Sequence, residues 1–205
     1  MIVSARGMDV ELAGRTVLRG VDLAAAPGEI VAVLGENGVG KSTLLRCLAG
    51  LQPPAAGELG VLGRPPADEP AFWREVVLAA DEPAWYPGLS VREHLELMHA
   101  VHGAARLEVG AALDAFELAG RGDVSPLALS TGQRQRLCLA MVLLRPSRLL
   151  LLDEPERGLD TAFRRRLGSY LAGYAATGGA VVMATHDPAL ADAVATRRVL
   201  LETAA

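Results

Sequence analysis

Apolar and polar positions alternate in two stretches near the N-terminus, Asp9 to Leu12 and Thr16 to Leu23. A period of two is the pattern of a strand with one face in water, so both read as half-exposed antiparallel strands. Glu29 to Leu34 (EIVAVL) is instead a nearly continuous apolar run that stops at a glycine, and it predicts a buried parallel strand. Helical spacing follows over Lys41–Ala49, ending at Gly50, and Val76–Ala79 reads as a second short buried strand. Two amphipathic helical patterns then occupy Val91–His102 and Leu107–Leu118. Ser90 with Glu93, and Ser130 with Gln133, have the spacing of capping boxes, in which side chain and backbone at a helix start satisfy each other. The helix that Ser130 opens is apolar nearly all round, which predicts burial, and Pro146 stops it. Leu149–Leu152 forms the next strand, Asp160–Ala175 a helix and Ala180–Ala184 a strand. Asp187-Pro188 starts a short last helix, with Asp as its cap.

Strand alternating with helix predicts an α/β fold around a parallel sheet. The expected division is a core made of residues 1–87 and 146–205, carrying an N-terminal antiparallel β-subdomain, and a helical subdomain at 88–145, where no strand interrupts the helices. The Pro/Gly-rich stretches Gln52–Gly57 and Gly63–Pro66 read as loops. The chain is 51% hydrophobic, yet no apolar run approaches the ~18–20 residues that span a bilayer. The longest, Leu137 to Leu144, is flanked by Arg136 and Arg145. A formal net charge of −4 argues against nucleic acid as the partner, which needs clustered Lys and Arg; the run Arg164-Arg165-Arg166 reads as a solvated helix face. Cys47 and Cys138 sit in apolar helical patterns and read as buried free thiols. No leader is expected at the N-terminus, and little follows His186, so no C-terminal regulatory domain is expected.

The stretch LGENGVGKST, Leu34 to Thr43, lies between a predicted strand and a predicted helix. Gly35, Gly40, Lys41 and Ser42 fit G-x-x-x-x-G-K-[ST] in the context that motif requires. Gly38 lets the loop curl so that the backbone N–H groups of Glu36, Asn37, Gly38, Val39 and Gly40 face phosphates, and the helix N-terminus adds its positive dipole end. Lys41 is expected to reach the β- and γ-phosphates, Ser42 to ligate Mg²⁺ and Thr43 to contact the α-phosphate. The strand Leu149–Leu152 delivers Asp153 to the same sheet edge, where it can hold Mg²⁺. Glu154 follows at once, and a carboxylate there can polarise a water in line with the γ-phosphate, which makes the site hydrolytic. His186 ends the strand AVVMATH at that edge and reads as a γ-phosphate sensor.

These motifs, with LSTGQRQRL at residues 129–137, make the chain resemble the ATP-binding subunits of ABC transporters over essentially its whole length. The family usually has two glycines where this chain has Thr131-Gly132. The resemblance implies a P-loop NTPase core with a helical signature subdomain, ATP and Mg²⁺ as cofactors, and ATP hydrolysis. It implies a second ATP-binding subunit in a head-to-tail homo- or heterodimer. ATP would lie between Lys41 of one subunit and Ser130, Gly132 and Gln133 of the other, with Asp160 of Gly158-Leu159-Asp160 at the opposite site. It also implies a transmembrane permease subunit and a peripheral place on the cytoplasmic face of the membrane. The loop from Asp81 to Ser90 and the lobe after it are where the family docks its membrane subunits; Trp85, Tyr86 and Leu89 offer apolar area there, or pack the lobe.

Two positions depart from the family. Asp81 stands where a Gln normally contacts the metal and the attacking water, and Leu12 stands where an aromatic normally stacks on adenine. Arg15 could take over by laying its guanidinium on the base. Both departures motivate a second reading, a catalytically weak ATP-binding partner of a heteromeric complex. A soluble ATPase of the family acting on DNA or ribosomes would carry a long heptad insertion, or two ATPase domains with a basic linker, which this sequence lacks. The length and the wording YPGLSVREHL resemble bacterial exporter ATPases, including those of the haem-exporter type, so export is the expected direction.

Overall fold

The structure, a computed structural model, describes residues 1–80, 83–103 and 106–202. The elements run β1 (Val3–Leu12), β2 (Arg15–Ala25), β3 (Ile30–Leu34), α1 (Lys41–Leu48), β4 (Ala56–Val61), α2 (Pro70–Trp73) and β5 (Val76–Ala79). Next come α3 (Val91–His102), α4 (Val109–Ala115), α5 (Thr131–Leu144), β6 (Leu149–Asp153), α6 (Thr161–Ala176), β7 (Ala180–Ala184), α7 (Pro188–Val194) and β8 (Arg197–Leu200).

β2, β1 and β4 make an antiparallel sheet in that order. Ala13 and Gly14 turn the β1–β2 hairpin with both residues at positive φ, the backbone of a tight primed turn, and Leu12 pairs with Arg15 across it. Both strands are longer than the alternation predicts, because their pairing is irregular in the middle. There the Gly7 N–H donates to Asp22 Oδ1 at 2.7 Å and the Gly20 N–H to Asp9 Oδ1 at 2.6 Å. Side-chain oxygens thus satisfy donors that the irregular ladder frees, and the period of two breaks without ending the strand. β4 corrects a loop expectation. Its sequence, AGELGV, has two glycines and no alternation, and it becomes a strand because β1 offers an open edge to pair with.

The parallel sheet has the order β5-β6-β7-β3-β8. Its central strands are buried on both faces, as continuous apolar runs predict. Leu149, Leu151, Val182, Val31 and Val33 point toward α1 and the antiparallel sheet; Leu150, Leu152, Val181, Met183 and Ala32 point toward α5 and α6. β8 was not legible beforehand: Arg197 and Arg198 face solvent, and its place comes from parallel pairing with β3. It is an edge strand, and charged side chains there discourage pairing with another chain.

Residues of α3, α4 and α5 share one apolar core with the sheet, including Val91, Leu95, Leu113 and Leu137, and Phe116 directly after α4 joins them. No residue of α5 after Thr131 is fully exposed, as its all-round apolar pattern predicts. Both capping boxes form, at Ser90/Glu93 and Ser130/Gln133, and Asp187 caps α7 through the N–H groups of Ala189 and Leu190. Cys47 is buried, with burial pushing its thiol up to about 11, whereas Cys138 is only half-buried. In the arginine run, Arg164 bonds Asp187 and Arg166 pairs with Glu117, so two of its members are tied to neighbouring segments. Among the described residues no helix is long and apolar enough to cross a membrane.

β3, β6 and β7 end side by side, because β7 lies between the other two. The loops after these strands therefore meet at one edge, the carboxyl end of a parallel sheet where open α/β folds bind ligands.

Candidate functional site

The loop after β3 runs from Gly35 to Gly40 and opens α1. Two of its glycines are sterically required. At Gly35 (φ 149°) a Cβ would lie 2.8 Å from the Leu201 carbonyl oxygen, and at Gly40 (φ 108°) 2.6 Å from Leu18 Cδ2. Lys41 is almost fully buried, at 6% exposure. Its Nζ donates to the carbonyls of Gly35 (2.7 Å) and Glu36 (3.0 Å). An ammonium has three N–H groups, so one remains for a ligand. A cleft of about 360 Å³ lies against this loop, lined by Leu12, Val17, Asn37, Gly38, Gly40, Lys41, Ser42, Thr43, Asp153 and Glu154.

Asp153 ends β6 beside α1. Burial raises its pKa; a hydrogen bond from Ser42 works the other way, and the neighbouring Glu154 charge adds to the rise. Glu154 takes a left-handed backbone (φ 47°) and its N–H donates to the Ala184 carbonyl at 2.8 Å. A non-glycine residue in that region costs roughly 1–3 kcal/mol, strain that is found at working sites. Its Oε2 accepts from Arg157 Nη2 at 2.9 Å, and its Oε1 lies 3.3 Å from His186 Nδ1. Hydrogen bonding by Arg157 is the chief cause that holds Glu154 below its ordinary value. His186 Nδ1 also stands 3.6 Å from Oε1 of the buried Glu156.

Ser130, Gly132, Gln133 and Asp160 do not line the cleft around Lys41. Ser130 and Gln133 bond each other at the start of α5: the Ser130 N–H donates to Gln133 Oε1 at 3.0 Å, and the Gln133 N–H to Ser130 Oγ at 3.3 Å. Asp160 caps α6 through the Phe163 N–H at 2.8 Å and accepts from Arg136 Nη2 at 2.7 Å. Gly132 instead abuts Gly158, so the start of α5 and the Gly158–Asp160 loop form one surface. α5 also comes near the carboxylates, through its first residue Thr131 and through Arg134 and Gln135. A second cavity of about 200 Å³ is bordered by Thr131, Arg134, Gln135, Asp153, Glu154 and Arg157 among others, and Gln135 Nε2 donates to the Pro155 carbonyl at 3.0 Å. Asp81 lies outside the described residues.

Trp85 packs partly against the core, Tyr86 is 56% exposed, and the segment is pinned by His94. The Tyr86 N–H donates to His94 Nε2 (3.0 Å), and His94 Nδ1 faces the Ser90 carbonyl (2.8 Å). Tyr86 is thus the apolar residue left to solvent, while Trp85 takes the packing role.

Val17, Glu156 and Arg157 join the site without having been singled out from the sequence. For Val17 the signal was its place two residues after Arg15, the residue that pairs with Leu12 across the hairpin. For Glu156 and Arg157 it was two further charges just past Asp153-Glu154, beyond Pro155, on a turn that must fold back over the strand end.

Comparison with known proteins agrees with this geometry. The sequence profile of the family described as "ABC transporter" matches residues 18–157. A Streptomyces avermitilis protein named for ABC transporter ATP binding is 46% identical over 191 residues, 90% of this chain but 33% of its own length. A Streptomyces coelicolor Fe(3+) ions import ATP-binding protein is 40% identical over 98% of this chain and 59% of its own length. The chain thus spans a third and about three fifths of these two relatives. A cytochrome c biogenesis ATP-binding export protein of Mesorhizobium japonicum is 39% identical over 92% of this chain and 93% of its own. A solved structure titled as the ATP binding subunit of an ABC transporter superposes with a TM-score of 0.88 at 27% identity, covering 98% of this chain and 86% of that one.

Proposed function

The chain belongs to the ABC transporter family, whose ATP-binding cassettes are ATPases, and on that premise we propose that it binds ATP in the cleft at Lys41 and hydrolyses it with Glu154 as the base. The observation that carries the reading is convergence. A glycine loop with a buried lysine, a metal-competent carboxylate (Asp153) and a second carboxylate (Glu154) meet at one sheet edge and border one cleft. Loop N–H groups and Lys41 bind the phosphates, and the N-terminus of α1 favours their charge. Leu12 and Val17 offer the base apolar contact. Glu154 takes a proton from water as it attacks the γ-phosphate, and His186, tied to Glu154 through Nδ1, touches that phosphate.

Mg²⁺ fits the residues present. Ser42 and Asp153 supply hard oxygen donors, which suit a small divalent cation, and Asp153 is a half-buried carboxylate whose partial loss of solvation a cation would offset. When bound, Mg²⁺ neutralises phosphate charge. Asp81 is a further oxygen donor in the sequence-based reading.

Ser130, Gly132, Gln133 and Asp160 stand away from their own chain's cleft, which supports a head-to-tail dimer in which they meet the nucleotide of a second ATP-binding subunit. ATP then closes the dimer and hydrolysis releases it, a two-state cycle that a ligand biases by its preference for one state. The cycle drives a membrane-spanning permease subunit, from the cytoplasmic face, through the Tyr86 segment and the helical region at 88–145. Relatives are named for import as well as export; export is the proposed direction, on the wording of YPGLSVREHL. The membrane protein that co-purifies with the chain tests both partner and direction.

The test of the central reading is Glu154→Gln. It keeps the shape and removes the base, so turnover should fall at least ~10²-fold, within the range of general-base removal. Size-exclusion chromatography should show a stable dimer with ATP. A variant that hydrolyses at the wild-type rate, or stays monomeric at millimolar ATP, would sink the reading.

A further inference from the structure

Glu156 is 1% exposed, and its Oε2 is buried without a hydrogen-bond partner. A buried carboxylate left partly unsatisfied costs stability and calls for a reason. Its other oxygen supplies one. Oε1 accepts from the Thr185 hydroxyl at 2.5 Å and stands 3.6 Å from His186 Nδ1. The direction of this chain of bonds is fixed at its far end. The Asp187 N–H donates to Thr185 Oγ1 at 3.0 Å, so the hydroxyl, already accepting there, gives its own proton to Glu156. Thr185 is fully buried, and the Thr185–Asp187 turn is thereby held on Glu156.

The effect falls on His186, whose side chain is 58% exposed and gains little rigidity from packing. Two carboxylate oxygens face its Nδ1, from Glu154 at 3.3 Å and Glu156 at 3.6 Å. Ionised carboxylates only accept, so they favour the imidazole with its proton on Nδ1; the partner of one ring nitrogen sets what the other can do. Glu154 alone is an unsteady partner, since the proposed reaction turns it toward water and Arg157 already holds its Oε2. Glu156 has no such second task. We propose that Glu156 is the positioning residue for His186: anchored by Thr185, it holds the proton on Nδ1 and fixes the ring so that Nε2 is free for the γ-phosphate. This rests on the reading of His186 as the group that touches that phosphate.

The experiment uses the whole chain labelled with ¹⁵N-histidine, the His186 signals being assigned by their loss in His186→Ala. In wild type, His186 should be protonated on Nδ1. Glu156→Met is close in size, suits a buried site and removes both acceptors. It should move His186 toward the Nε2-protonated tautomer and lower kcat about tenfold, the lower range for loss of an outer orienting partner, with KM for ATP unchanged. Glu156→Gln keeps an acceptor oxygen and should recover part of both effects. Should Glu156→Met fail to fold, Thr185→Val, which removes the anchor, should shift the same tautomer. An unchanged tautomer in Glu156→Met, or in Thr185→Val where that replaces it, overturns the inference, as does a kcat loss accompanied by a matching KM change. If His186→Ala hydrolyses ATP at the wild-type rate, the γ-phosphate reading of His186 is what fails, and the tautomer measurement alone decides whether Glu156 positions the ring.

Discussion

The Arg157 guanidinium closes on one oxygen of Glu154, with Nη2 at 2.9 Å and Nε at 3.3 Å from Oε2. With His186 on Oε1, both oxygens of the proposed base have partners, and Oε2, which accepts two N–H groups from Arg157, has no lone pair left for the proton of a water until that contact opens. Arg157 is the one to leave, because its side chain is 65% exposed and solvated ion pairs contribute only about 0–1 kcal/mol.

Arg157→Ser should therefore raise steady-state ATP turnover, by up to about fivefold, the equivalent of ~1 kcal/mol. It also removes the main cause that holds Glu154 low. With that pKa free to rise, Glu154 begins to protonate at a higher pH, and the acidic limb of the pH–rate profile should shift upward. ATPase assays across pH check both effects. A rate that falls would mean that Arg157 assists the reaction rather than restraining it.

A Cβ on Gly132 would lie 2.6 Å from the carbonyl oxygen of Gly158. That oxygen belongs to backbone, so the start of α5 or the Gly158 loop has to shift. Overpacking of this kind costs typically about 1–3 kcal/mol, which for a chain of 205 residues lowers Tm by roughly 2–4 °C per kcal/mol. Gly132→Ala should show this loss without nucleotide, and should also weaken ATP-driven dimerisation. Thermal denaturation and size-exclusion chromatography are the measurements. An unchanged nucleotide-free Tm beside a lost dimer would place the whole effect on the partner subunit.

Leu12 lines the cleft and is 38% exposed, with Val17 beside it. Neither has a π-face, whereas an aromatic under a base contributes about 1–3 kcal/mol. The chain should therefore lean on phosphate contacts and discriminate poorly against GTP. Leu12→Tyr should tighten ATP binding by about 1 kcal/mol, near fivefold, without changing turnover at saturation. Titrations of both proteins with ATP and GTP decide it. Tight, ATP-selective binding by wild type would show that another group holds the adenine, Arg15 across the hairpin being the first to examine.

What the sequence determined by itself was whatever a short segment dictates through its own backbone and burial. Continuous apolar runs marked β3, β6 and β7, since a strand covered on both faces has no polar side to show. The caps at Ser90, Ser130 and Asp187 were legible because capping is a bond between residues two or three apart. The same holds for Gly35 to Thr43, where the spacing of glycines, lysine and serine is itself the proposed phosphate-binding device. Tertiary structure decided the rest. β4 and β8 carry weak patterns of their own and exist because β1 and β3 offer edges to pair with. Asp153, Glu154 and His186 could be read as strand-end residues, but their meeting depends on strand order, which puts β7 between β6 and β3. The partners of Glu154 and His186 could not be read at all. Arg157 reaches Glu154 only because the turn after Asp153 doubles back, and Glu156 reaches His186 across 30 residues of chain because β6 and β7 are neighbours. Such contacts depend on where folded segments come to rest, which no local pattern of residues encodes.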